Sequence, residues 1–170
     1  MNKSTFWKEF GKNPLTHSTA HYLMAIHQLL EEKGYARLID VAATLGISKG
    51  SLSTSLKPLI TKKFIYEDDH KHLFLSDLGK LYALHIENTY SVVKHFLENI
   101  LGVQKDQAEI DACKVEHLLG VDTTEKILKL VKALENNPEL LKVLKKEMTK
   151  YKNCSLDGCK KCYKEGFCLD

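Results

Sequence analysis

The chain has 170 residues, 44% of them apolar and 28% charged, with a formal net charge of +3. That is the size of one domain, or of two small ones sharing a core, with the composition of a soluble globular protein. It excludes a membrane span, because no run approaches the roughly 20 apolar residues such a helix needs, and so small a net charge does not by itself mark a polyanion binder.

Residues 1–15 are expected to form an N-terminal extension. Their sequence, MNKSTFWKEFGKNP and Leu15, has neither the apolar stretch nor the small-residue cleavage site of a signal peptide. The expected location is the cytoplasm, where thiols stay reduced. From Thr16 to Lys33 the spacing of Leu23, Ile26 and Leu30 predicts a helix, capped by Thr16 or Ser18 and stopped by Gly34. LIDVAATL (Leu38–Leu45) predicts a second helix ending at Gly46, and Ser48 caps a third from Lys49 to about Lys62. Leu52, Leu56, Leu59 and Ile60 form the expected buried stripe of that helix, and Pro58 should kink its last turns. The period then changes. FIYEDD and HLFLS flank a polar tip, Asp68-Asp69-His70-Lys71, and predict a hairpin.

Ser76-Asp77 caps a long helix from about Leu78 to Ile100, broken by Gly102. A helix from Gln104 or Asp106 to about Leu119 follows, then one from a Thr123 or Thr124 cap to Leu134. Asn136-Asn137-Pro138 is a stop, and a last helix runs from Glu139 to about Lys152. Between Pro138 and Lys164 eight lysines stand against three acidic residues, which suits a solvated helix face and also suits proximity to phosphate.

Helix, helix, tight turn, helix and hairpin is the order of a winged helix-turn-helix, in which the helix after the turn enters the DNA major groove. The expected fold class is therefore mainly α. It comprises a winged helix-turn-helix over 16–77, a helical metal-binding and dimerisation domain over 78–137, and a Lys-rich helix with a Cys-rich tail over 138–170. Ser48, Lys49, Gly50, Ser51, Ser53, Thr54 and Lys57 are candidate DNA contacts on the third helix, being small, polar or basic. His70 and Lys71 are candidates at the hairpin tip. A helical bundle with a polar face is the alternative.

DACKVEHLL places Cys113, Glu116 and His117 at i, i+3 and i+4. On a helix these share one face, and a thiolate, a carboxylate and an imidazole there suit a divalent transition metal. His21 and Met24, at i and i+3 on the first helix, would complete a five-ligand site if the two helices pack. A partly buried Cys beside a surface Glu-His pair is the plainer alternative.

With STAHYLMAI, Gly-Tyr-Ala-Arg, GISKGSLS, LSDLGK, ILGV and E-I-DACKVEH in this order, the chain resembles the metal-dependent repressors of the DtxR/MntR family over about 16–135. Cys-x-x-Glu-His is similar to the iron-responsive branch. The resemblance implies a homodimer that binds operator DNA when loaded with metal and represses metal-uptake genes. It also implies His21, Met24, Cys113, Glu116 and His117 as ligands. Thiolate and thioether donors favour Fe(II) over Mn(II), while His and Cys would also hold Zn(II). The family's second metal site falls on Tyr90 and Lys94, poor ligands, and the Lys94 ammonium is expected near Glu109 in place of an ion. Lys63 stands where such folds often place Gly before the wing.

Cys154, Cys159, Cys162 and Cys168 carry the spacing C-x4-C-x2-C-x5-C. A reduced tail, a disulfide knot, zinc and an iron–sulfur cluster are the alternatives. The spacing is closer to cluster binding than to paired zinc knuckles, and the stretch resembles the Cys motif of the small FeoC proteins of ferrous-iron transport. The expected cofactors are Fe(II) at the regulatory site and a cluster at the tail. A constitutive DNA-binding protein with a structural zinc tail, and a Mn(II)- or Zn(II)-responsive repressor, remain open. An enzyme is not expected, since no nucleophile–base pair, phosphate loop or HExxH arrangement is present.

Overall fold

The computed structural model of the chain describes residues 15–150. The chain divides into two compact units, Met1–Leu130 and Val131–Asp170. Helix α1 (His17–Lys33) starts at a capping box between Thr16 and Thr19 and ends at Gly34 in the left-handed region. A two-residue strand, β1 (Ala36–Arg37), leads directly into α2 (Leu38–Leu45). Gly46, with φ of 66°, closes α2, and Ser48 caps α3 (Lys49–Thr61) by accepting a hydrogen bond from the Ser51 amide. The helix-to-helix turn thus needs a residue free to adopt positive φ and a short side chain to receive the next orphan donors.

Strands β2 (Ile65–Glu67) and β3 (His72–Leu75) form the hairpin, and β1 adds to the other edge of β3, giving the antiparallel order β1-β3-β2. The strand β1 was not expected, because two residues carry no alternation to read. Lys63 does enter the wing in the left-handed region, with φ of 58°, where glycine is usual. Helix α4 (Asp77–His95) follows, and its last turn widens into a π-turn over Phe96–Ile100.

The start of α4 is locked against the wing. Ser76 Oγ lies 2.7 Å from the Lys63 carbonyl and accepts the Gly79 amide at 3.0 Å. A Cβ on Gly79 would lie 1.9 Å from the Phe64 carbonyl oxygen, so only glycine lets the helix come this close. One apolar core joins these elements, including Leu23 and Ile26 of α1, Leu52 and Leu59 of α3, Ile65, Leu73, and Ile86 of α4. Ile60, expected in the buried stripe, is 43% exposed instead. It follows the buried Leu59 by one position, which turns it about 100° away from the core.

Helix α5 (Lys105–Val115) packs on α4, as α1 does on another part of it. Helix α6 (Val121–Glu135) begins earlier than the expected Thr123 or Thr124 cap. Thr124 instead lies inside the helix, buried, its hydroxyl 3.2 Å from the buried Thr89 hydroxyl of α4. In the second unit, Asn137 caps α7 (Pro138–Met148), which carries Pro138 in its first turn. Among the described residues no helix is long and apolar enough to cross a membrane.

Candidate metal centre

The first turn of α1 begins with His17 at the capping box, and His21 follows one turn later. Met24, a further turn along, is half-buried and packs against the apolar core. Helix α5 ends at Val115, so the DACKVEH segment is only partly helical. Cys113 is on the last turn, Glu116 is the C-cap, still right-handed, and His117 lies in the turn beyond. The Glu116 amide bonds to Ala112 O at 2.9 Å, which keeps Glu116 within a turn of Cys113. Because α4 carries both α1 and α5, the start of α1 meets the end of α5.

There, His21 Nε2 is 3.3 Å from Cys113 Sγ and 3.6 Å from Glu116 Oε1. One donor atom from each of His17, His21, Cys113 and Glu116 lies within 4.8 Å of all the others. The His17 ring stands edge-on to His21 at 4.4 Å and tilted to His117 at 5.3 Å. Glu116 is only 1% exposed, and its Oε1 has no hydrogen-bond partner among the described residues. Burial pushes this carboxyl up to about 7. Burial also raises the Cys113 thiol, with the Glu116 charge adding to it, and lowers the His21 and His117 imidazoles, with His17 adding to both. Every shift opposes ionisation, as burial does for any charged group. An orphaned buried carboxylate oxygen beside a thiol and imidazoles fits a divalent transition ion. Spacing pointed to His21, Met24, Cys113, Glu116 and His117, of which Met24 packs against the core instead. His17 was missed, although the i, i+4 spacing of His17 and His21 was the signal that marks it.

A second polar cluster lies one turn earlier on α5. Lys94 Nζ of α4 is 2.6 Å from Glu109 Oε1 and 5.9 Å from the centre of the Tyr90 ring. Here the cation is a side chain.

On α3, Lys49, Gly50, Ser51, Ser53, Thr54 and Lys57 are exposed, and Leu52, Leu56 and Leu59 face inward. Ser48 Oγ is occupied as the cap, and Thr54 Oγ1 donates to the Gly50 carbonyl. At the wing tip His70 is exposed, whereas Lys71 is paired with Glu67 at 2.9 Å. Asp68 accepts the His70 and His72 amides at 2.9 and 2.7 Å. The tip therefore carries its bases among acids. Cys154, Cys159, Cys162 and Cys168 lie outside the described residues.

Residues 76–144 match the family described as "Iron dependent repressor, metal binding and dimerisation domain". The HTH-type transcriptional regulator MntR of Bacillus velezensis is 28% identical over 138 residues, which are 81% of this chain and 96% of that protein. Its namesake in Listeria monocytogenes serotype 4a is 29% identical over 130 residues, 76% of this chain and 91% of that protein. Among solved structures, the manganese regulator SloR superposes with a TM-score of 0.60 at 21% identity, over 66% of this chain and 53% of that one. The crystal structure of T. acidophilum IdeR gives 0.54 at 20% identity, over 65% and 52%. The chain thus spans about half the length of these two structures, and the likeness to them is one of fold: a winged helix-turn-helix followed by a helical domain.

Proposed function

We propose that this chain is a metal-dependent transcriptional repressor of the DtxR/MntR family, a homodimeric DNA-binding protein and not an enzyme, with Fe(II) as its effector. The observation that carries the reading is the meeting of His21, Cys113 and Glu116 from two helices around a buried carboxylate oxygen with no hydrogen-bond partner among the described residues. His117, the other imidazole the sequence offers, stands beside the same cluster with its ring tilted to His17. A divalent ion held there supplies the positive charge that this thiol and buried carboxyl lack. The presence of Cys113 in the set favours Fe(II) over Mn(II).

The residues of the chain do the rest. His21 belongs to α1, which shares its core with α3. Cys113 and Glu116 belong to the end of α5. Drawing these two ends together fixes α1, and with it the direction in which α3 presents Ser48, Lys49, Gly50, Ser51, Ser53, Thr54 and Lys57. His70 and Lys71 reach the neighbouring backbone from the wing. In a two-fold dimer the two α3 helices address half-sites one or more DNA turns apart. The ion acts only as far as it favours this arrangement over others. The four tail cysteines are proposed as a separate iron–sulfur centre, tested by the iron and sulfide content of anaerobically isolated protein.

The function is tested by fluorescence anisotropy with duplex DNA selected from a random library by the Fe(II)-loaded protein. Affinity should rise with Fe(II), and Cys113→Ser should lose the response. Equal affinity with and without metal would leave a constitutive DNA-binding protein.

A further inference from the structure

Resting on that metal-dependent reading, we infer that His17 is a ligand of the regulatory ion, and that α1 contributes the pair His17 and His21 rather than His21 and Met24. His17 is the first residue of α1, and one of its ring nitrogens lies within 4.8 Å of the donor atoms of His21, Cys113 and Glu116. Its spacing from His21 is a full turn, so one helical face carries both imidazoles toward the end of α5. Met24 has another partner, the apolar core. Glu116, at 1% exposure, faces the cluster as a buried carboxylate whose Oε1 makes no hydrogen bond among the described residues. Two imidazoles, one thiolate and one carboxylate close a four-coordinate shell of the kind late first-row ions accept, whereas Mn(II) favours more numerous oxygen donors. His117 then neighbours His17 and is not needed as the second imidazole.

His17 therefore sets metal choice. It also ties the ion to the first turn of α1, whose capping box begins at the preceding residue, Thr16. Binding should consequently order that turn.

The test uses the full chain with Cys154, Cys159, Cys162 and Cys168 replaced by Ser, so that Cys113 is the sole thiol. Co(II) is the probe. Thiolate-to-metal charge transfer reports Cys113, and the intensity of the visible ligand-field bands reports coordination number. Parent protein should show the intense bands of a four-coordinate ion. His17→Ala should weaken Co(II) binding at least 10-fold, the scale on which even an outer partner of a ligand acts, and should dim those bands. Exposed His17 can be replaced without disturbing the core, so the apo melting temperature should hold. His17→Asp should recover binding and narrow the preference for Co(II) over Mn(II). Met24→Leu should change neither spectrum nor affinity. The inference is overturned if His17→Ala binds Co(II) with unchanged affinity and bands, and equally if Met24→Leu causes the loss. If Cys113→Ser and Glu116→Gln also leave Co(II) binding unchanged, the metal-dependent function itself falls.

Discussion

Helix α5 and its C-cap carry two carboxylates about two turns apart, Glu109 and Glu116, and they solve the same problem in opposite ways. At Glu109 a carboxylate on a helix surface is matched by the Lys94 ammonium, 2.6 Å away, with Tyr90 alongside. At Glu116 a carboxylate is almost completely buried, and the groups around it are imidazoles and a thiol. The first cluster is complete as the chain folds. The second is the one proposed to take an ion from outside. On that proposal one helix holds a permanent fastening and a conditional one, and burial and the neighbouring donors separate the two kinds.

The largest expected effect breaks the conditional cluster. Glu116→Gln keeps the shape and removes the charge. Co(II) affinity, measured by chelator competition, should fall roughly 100-fold or more, beyond what loss of an outer partner costs. The apo variant at pH 8 should melt no lower than the parent, because burying a charged carboxylate whose Oε1 lacks a hydrogen bond costs more than it returns. A drop in apo stability together with unchanged affinity would mean the carboxyl is structural.

The next effect converts one kind of cluster into the other. Lys94→Glu places two carboxylates where an ion pair stood. The apo protein should melt lower through like-charge repulsion, and a divalent ion should restore it. Equilibrium dialysis should then find one metal equivalent more than in the parent. Unchanged stoichiometry would show that the surroundings of Glu109 cannot hold an ion.

The smallest effect concerns the permanent pair alone. The Lys94 hydrogen bond, and then its charge, hold the Glu109 carboxyl below its usual range, and Glu109 in turn raises Lys94. A depressed carboxyl stabilises the fold above its unfolded value and loses that contribution as pH falls through the folded value. Lys94→Met should therefore melt slightly lower than the parent near neutral pH. The gap should close in acid below the usual carboxylate range and shrink in 1 M salt, where the screening length is about 3 Å. A gap that persists under both conditions would assign the effect to packing of the lysine stem.

What the sequence made legible follows what is local. The bounds of α1, α2 and α3 could be read closely, because Thr16, Gly34, Gly46 and Ser48 are caps whose chemistry acts within a few residues. Strand β1 could not, since Ala36 and Arg37 become a strand only by pairing with Leu73 and His72. Thr124 looked like a cap because Thr often is one, and a distant partner, Thr89, decided otherwise. The same division holds at the candidate site. Cys113, Glu116 and His117 are close in sequence, so spacing alone suggested them. His17 stood among Thr16, Ser18 and Thr19, where polar residues at a helix start are sufficiently explained as capping. Its convergence on Cys113 depends on α4 bringing two helices together, which no local pattern encodes.

The junction at Gly79 has a mechanical consequence. The Phe64 carbonyl rests where that residue's side chain would be, and Ser76 Oγ ties the same corner to Lys63. A joint with no clearance transmits torque. A load applied to the wing is passed into α4 without slack, so wing and long helix should turn as one lever, with its fulcrum at a residue that has no side chain.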